Sequence, residues 1–379
     1  GSYNTGLGES SFVSNTTGDY NTAVGSASLR SNTTANSNTA VGYQSLYSNT
    51  TGVDNTAVGD IALRGNTTGG NNVAVGRYAG YSGATSNYGV FVGAQAGFNV
   101  TGDNNTAVGY QAINNGVCTG ANNTAVGYQA LYDNTTGELN SAVGVNALDA
   151  NTTGSRNTAL GEYALSANTT ASFNTALGSS SLGLNTTGAS NTAVGHNSLQ
   201  DNTTGATNTA VGKDALANNT TASNNTAVGY QAGYSNTTGT NNAAFGRTSM
   251  RSNTTGTANT AIGRAAMYAN TSGGQNTAIG YNALDANTSP SGNTAVGAHS
   301  LTTNTTGASN TAVGTQALNA NTTASENTAV GYQSLYSNTT GGVNVAVGEK
   351  ALYANTTGVA NTALGRQALK ANTTANFNI

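Results

Sequence analysis

Tryptophan is absent from the 379 residues, and proline, cysteine, histidine and methionine number only 1, 1, 2 and 2. One cysteine makes no intrachain disulfide, and with two histidines it assembles no Cys/His metal cluster. Charge is scarce as well. Asp, Glu, Lys and Arg make up 7% of the chain, against roughly 25% in ordinary globular proteins. A formal net charge of −3 gives no basic footprint for nucleic acid or an anionic membrane. No apolar run is long enough to span a bilayer, and Gly1 opens no signal-peptide pattern. Ordinary disorder is disfavoured too, because such chains need high net charge to stay expanded. What is present is glycine, 51 of it, among abundant Asn, Thr and Ala.

These residues repeat. Asn-Thr-Ala-Val-Gly begins at Asn21, Asn38 and Asn55, and variants continue to Asn344 and Asn361. A degenerate first copy starts at Asn4, so 21 intervals of 17 residues carry the motif to Asn361. Gly89 to Asn105 is 16 residues and Asn105 to Asn123 is 18, and the two deviations cancel. A linker has no reason to hold such a register, whereas a stacked solenoid must.

With the motif Asn as position 1, position 5 is Gly in all 22 units and position 8 is always Ala or Ser. Position 3 is Ala except at Gly6 and Phe91, and position 9 is Leu in 15 units. All 25 charged residues fall at positions 6, 7, 10, 11, 16 and 17, and the 18 tyrosines at 6, 7, 10 and 17. Burying an unpaired charge costs several kcal/mol, so these columns face solvent.

A unit with Gly at 5 and Asn-Thr-Thr at 12 to 14 holds no helix pair. The expected fold is all-β, a parallel β-solenoid of about 22 coils with one 17-residue coil per repeat. It is read as one continuous solenoid over 1–379, with irregular coils near 80–122. Positions 1 to 4 form a short strand, and a second is expected around 8 to 10. Position 4 is expected to point inward with position 2 beside it, giving a core of Val, Leu, Ala and part of a Thr. The glycines at position 5, among them Gly25, Gly42, Gly59, Gly76, Gly127, Gly144, Gly229 and Gly331, are read as corners needing positive φ or close backbone approach. Position 15 carries the only proline, Pro290, so that corner needs no left-handed residue. Gly80, Gly97 and Gly233 replace Leu at position 9, each followed by an aromatic ring: Tyr81, Phe98 or Tyr234. The ring is expected to turn inward and fill the lost volume.

Asn at positions 1 and 12 is expected to form amide ladders from coil to coil. An Asn-X-Ser/Thr sequon also stands at position 12, or at 11 in the unit beginning at Gly89, in 20 units: Asn15, Asn32, Asn49, Asn66, Asn99, Asn134, Asn151, Asn168, Asn185, Asn202, Asn219, Asn236, Asn253, Asn270, Asn287, Asn304, Asn321, Asn338, Asn355 and Asn372. A glycan coat is the alternative to an inward ladder plus turn. Threonine columns at 13 and 14 raise ice binding, but adjacent strand residues should face opposite ways. His196 and His299 lie six coils apart on solvent columns, no two acids share one column in consecutive coils, and Cys118 sits in an irregular insert. A tailspike-type hydrolase therefore has little support. Recurring Asp columns for calcium and P-loop spacing are also missing. No catalytic, cofactor-binding or metal residue is expected, and no cofactor. Neither end carries a capping segment, so a window of a longer repeat protein or fibre is expected.

The motif at Asn38–Leu46 and Asn123–Leu131 resembles the head repeat of trimeric autotransporter adhesins of the YadA type. It is similar also to repeats of bacterial surface and phage tail-fibre proteins. The resemblance implies a left-handed parallel β-roll with three chains side by side. The expected role is an extracellular, cell-surface structural fibre or adhesin shaft, non-catalytic. A phage tail-fibre carbohydrate-binding shaft and an ice-binding solenoid are the alternatives. Partners would be copies of the chain, as an end-to-end filament or a homotrimer, and surface glycans, without nucleic acid or membrane insertion.

Overall fold

The computed structural model describes residues 1–379. The fold is an all-β parallel β-solenoid of 22 coils, about 17 residues each, without helices. The chain divides into two compact units, Gly1–Ser190 and Asn191–Ile379. The first holds the strands from β1 (Thr5–Leu7) to β11 (Thr175–Leu177), and the second those from β12 (Thr192–Val194) to β22 (Thr362–Leu364). Each strand has three residues, positions 2 to 4, and within each unit pairs in parallel with the next coil's strand. Thr22 lies on Thr39 and Ala23 on Ala40 in the first unit, and Thr294 on Thr311 in the second. β-Branched Thr and Val favour the extended backbone, and Gly at 5 ends it. The corner glycines Gly25, Gly42, Gly59, Gly76, Gly127, Gly144, Gly229 and Gly331 have φ from +127 to +141°. At Gly42 an added Cβ would lie 2.3 Å from the carbonyl oxygen of Gly59. Both reasons for glycine therefore apply.

The strand faces the opposite way from expectation. Ala23, Ala40 and Ala57 at position 3 are fully buried, while Val58 is 37% and Leu160 46% exposed. Positions 2 and 4 share the outer face. The reason is space: the interior also holds residues 8 and 9, so only a methyl group fits beneath the strand. Phe91, the one large residue at position 3, demonstrates the limit. It is fully buried, and its ring occupies the room of two leucines. A Cβ on Gly97 would sit 2.1 Å from Phe91 Cδ1, and one on Gly80 2.8 Å from Cδ2. Tyr81 and Phe98 do not turn inward as expected. They stay half-buried at the surface, stacked with centroids 4.9 Å apart. Beside Gly233 the space is taken by Leu216 of the preceding coil, whose Cδ2 lies 2.9 Å from where a Cβ would stand.

The expected second strand is a pair of left-handed turns. Gln44 and Leu46, at positions 7 and 9, have φ of 52 and 48°, and Tyr20 at position 17 has φ of 58°. Such a conformation costs roughly 1–2 kcal/mol for an L-residue. It is held by backbone bonds running both ways along the stack. Gln44 N–H donates to Ser26 O of the preceding coil, while Leu46 and Ser48 donate to Ala62 and Arg64 of the following one, at 3.0 to 3.1 Å. Gly80, Gly97 and Gly233 share this conformation, with φ of 61 to 62°, so glycine suits that site for its backbone as well. No position-15 residue has positive φ, in line with Pro290 at that corner.

Phe91→Ala is expected to destabilise the first unit by about 3–5 kcal/mol, and Gly97→Leu to destabilise it too, by collision with the ring. The double variant should recover much of the loss in urea unfolding, whereas simple additivity would refute the shared-volume account.

Candidate functional surfaces

The interior chemistry is built from two asparagines per coil. Asn38, at position 1, accepts the Asn55 backbone N–H on Oδ1 at 3.0 Å and donates Nδ2 to Gly52 O at 2.9 Å. Asn49, at position 12, donates to the same carbonyl at 2.9 Å and to Asn32 Oδ1 at 3.2 Å. The carbonyl of residue 15 thus receives two amide donors, filling both lone pairs and closing the coil. In the second unit Asn259 and Asn270 close on Gly273 O at 2.8 and 3.0 Å. Asn276 and Asn287 do so on Pro290 O at 3.0 and 3.3 Å. All these side chains are buried. The expected Asn ladder is present, and it runs one way, each coil donating to the Oδ1 of the coil before it. The convergence on residue 15 escaped the sequence reading, because position 15 varies in side chain and acts through its backbone.

Of the 20 sequon asparagines, 17 are buried at 2% exposure or less, leaving only Asn15, Asn99 and Asn372 partly exposed. Asn15 and Asn372 lie in the first and last coils. Asn99 differs for a local reason. In its coil the apolar Val100 turns inward and is fully buried, and one coil on Cys118 does the same, pairing with Val100 as an isolated bridge. Counted from Gly89, Val100 holds the inward position 12 and Asn99 the outward position 11; in the next coil, which is one residue longer, Cys118 fills the inward place and Val117 points outward. The buried thiol receives the Asn134 amide at 3.3 Å in place of a ladder carbonyl. Burial raises its pKa above the ordinary value, against the lowering effect of that bond. Upstream, Gly83 supplies no amide, and Asn66 Oδ1 is left buried without a partner.

Positions 13 and 14 do not face opposite ways. Thr50 is half-buried and Thr51 exposed, both outside, because 12 to 15 is a turn. The Thr50 hydroxyl donates to Thr67 O at 3.0 Å, so position 14 carries the free hydroxyl column.

The outer columns carry the charge and the rings. Tyr336 and Tyr353 stack one coil apart at 5.2 Å, as Tyr3 and Tyr20 do at 5.1 Å. Ion pairs are few and exposed: Arg77–Asp60 at 3.5 Å and Arg366–Glu349 at 3.2 Å. Pairs of this kind add little stability. The second unit bears an open cleft of about 510 Å³ over columns 6, 7 and 10, with Arg247, Arg251 and Arg264 around it. His196 is exposed, whereas His299 is half-buried with its ring edge-on to Tyr281 at 5.0 Å. No three His, Cys, Asp or Glu side chains converge as a metal site would need.

Two acids do adjoin, from different columns. Asp149 is half-buried and its carboxyl pKa is raised, by burial first and by the nearby Asp133 charge as well, against a 3.0 Å bond from Asn146. Asp133 is held by Asn115 Nδ2 at 2.7 Å. The folded state therefore binds more protons than the unfolded one above the ordinary value of 3.8. Stability falls as pH rises through the raised folded value. Asp149→Asn should accordingly raise the melting temperature at pH 7, and the difference should vanish at about pH 3. A less stable variant at pH 7 would contradict the assignment.

The ladder has its own test. Asn259→Ala orphans the Asn276 N–H and should cost about 1–3 kcal/mol, with faster amide exchange at Asn276. Thr255→Ala, on the exposed column, should stay within about 0.5 kcal/mol. Equal effects would show that the amides carry no special weight.

In comparisons with known proteins, no family model matches the chain and no curated protein is significantly similar to it.

Proposed function

We propose that the chain is a non-catalytic, extracellular structural shaft whose copies associate laterally through the Thr/Val face of the strands. One observation carries this reading. The face is a stripe of in-register Thr and Val side chains, half-exposed, with no charged residue at positions 2 or 4 in any coil. Val58, Val75, Phe245, Ile262 and Ile279 are 37 to 41% exposed along it. Contiguous apolar surface of that kind marks an interaction site, and a column repeating at each coil is complementary to a second copy of itself. The resemblance of Asn-Thr-Ala-Val-Gly to adhesin heads supports the surface location. The buried asparagine amides are committed to the ladders, which suits a rigid structural element.

Sedimentation equilibrium of the chain should show a discrete oligomer. Replacing Val211 and Val228 with Lys places charge on two successive rungs and should shift it toward monomer with an unchanged circular dichroism spectrum. A monomeric starting protein, or an oligomer indifferent to the lysines, would overturn the proposal.

A further inference from the structure

Three of the 11 basic residues of the chain, Arg247, Arg251 and Arg264, fall within two consecutive coils. Arg247 and Arg264 occupy position 6 of successive coils, so their Cα atoms are one rung apart, about 4.8 Å. Arg251 stands opposite at position 10. Neither position-6 arginine nor Arg251 has a carboxylate within ion-pair distance; the two ion pairs of the molecule lie elsewhere. Like charges on adjacent rungs repel, and no carboxylate of the chain pairs with them to offset it.

The rest of the cleft organises these cations. Arg251 Nε donates to Gln231 Oε1 at 3.0 Å and one terminal nitrogen donates to Tyr268 Oη at 3.2 Å. Its guanidinium lies 5.4 and 5.8 Å from the Tyr234 and Tyr268 rings. Arg247 lies 5.9 Å from Tyr230, and Arg264 5.3 Å from Tyr281. The floor is low because position 7 is short in the two central coils, Thr248 and Ala265, between Gln231 and Asn282. Asp285, at one end, is the single acid in the lining, and His299 is the nearest further titratable group beside it. Arg64 shows how much of this is ordinary. It repeats the Arg251 arrangement, bonding Gln44 at 2.9 Å and Tyr81 at 3.4 Å, but its column-6 neighbours are Tyr43, Asp60 and Arg77, which pairs with Asp60.

We infer that the cleft lined by Arg247, Arg251 and Arg264 binds an acidic oligosaccharide lying along the coil stack. Guanidinium forks match carboxylate and sulfate oxygens two at a time. Tyrosine edges and hydroxyls offer contact for sugar rings, and a one-rung spacing of cations is of the same order as one pyranose residue. The groove is open and shallow, as a linear polymer requires, with no slot in which a base would be enclosed. Three cations are few for a nucleic-acid backbone in a chain of net charge −3. This site goes beyond the shaft reading and does not depend on it, since its residues lie on columns 6, 7 and 10 rather than 2 and 4.

Isothermal titration calorimetry of the full chain at low salt tests it, with tetragalacturonate as the carboxylate probe, a chondroitin sulfate tetrasaccharide as the sulfated one, and cellotetraose as the neutral one. Binding is expected for at least one acidic probe, which identifies the preferred anion, and not for cellotetraose. The double variant Arg247→Gln/Arg264→Gln should weaken it by about tenfold or more, Asp285→Asn should strengthen it, and Arg64→Gln should leave it unchanged. Circular dichroism and the oligomeric state should be the same for all variants, which separates this outcome from the lateral-association test. The inference is overturned by silence toward both acidic probes, by equal binding of cellotetraose, by a double variant that binds like the parent, or by tighter binding of a tetranucleotide.

Discussion

Each coil must turn its backbone back on itself, and the carbonyl of residue 15 is left pointing into a dry interior. Two buried amides, from Asn at positions 1 and 12, meet that oxygen. An unpaired carbonyl there would cost about 1–3 kcal/mol in every coil. The same asparagines carry a second set of bonds along the stack, so closure of one coil and adhesion to its neighbour are one interaction. This explains why residue 15 can be Gly, Ala, Ser or Pro while the two asparagines recur. The backbone oxygen is the constant element, and the side chain beside it has only to be small.

The same economy of space governs the apolar part. With asparagines filling one side, the remaining interior holds one leucine-sized group per coil and small residues around it. Phe91 shows that the volume can be redistributed between positions 3 and 9 but not increased, because Gly80 and Gly97 face its ring. The left-handed residues at 7, 9 and 17 are the conformational cost of so tight a loop. They are tolerated because each lies next to backbone bonds to both neighbouring coils.

Much of this was legible from periodicity. The register, the corner glycines, the solvent columns and the amide ladders all followed from which residue types recur where. The inward side of the strand did not. Large apolar Val at position 4 suggested a core residue, yet the narrow interior admits Ala and turns Val outward, and nothing in a three-residue alternation distinguishes the two. The left-handed sites were hidden for a similar reason: Leu, Gln and Tyr occupy them, and only Gly80, Gly97 and Gly233 hint at the backbone. The replacement of the buried amide by Val100 and Cys118 was half visible, in the paired intervals of 16 and 18 residues. The arginine cleft needed the stacking of columns to bring position 6 against position 10.

The amide rows also have a sense. Within each unbroken run the side-chain oxygens accept from the coil that comes later in the chain, at position 1 from a backbone N–H and at position 12 from the next asparagine's amide. A coil emerging during synthesis therefore meets a completed rung whose acceptors already stand open toward it. The amide rows are thus polar along the stack, with open acceptors toward the later coils and donors toward the earlier ones.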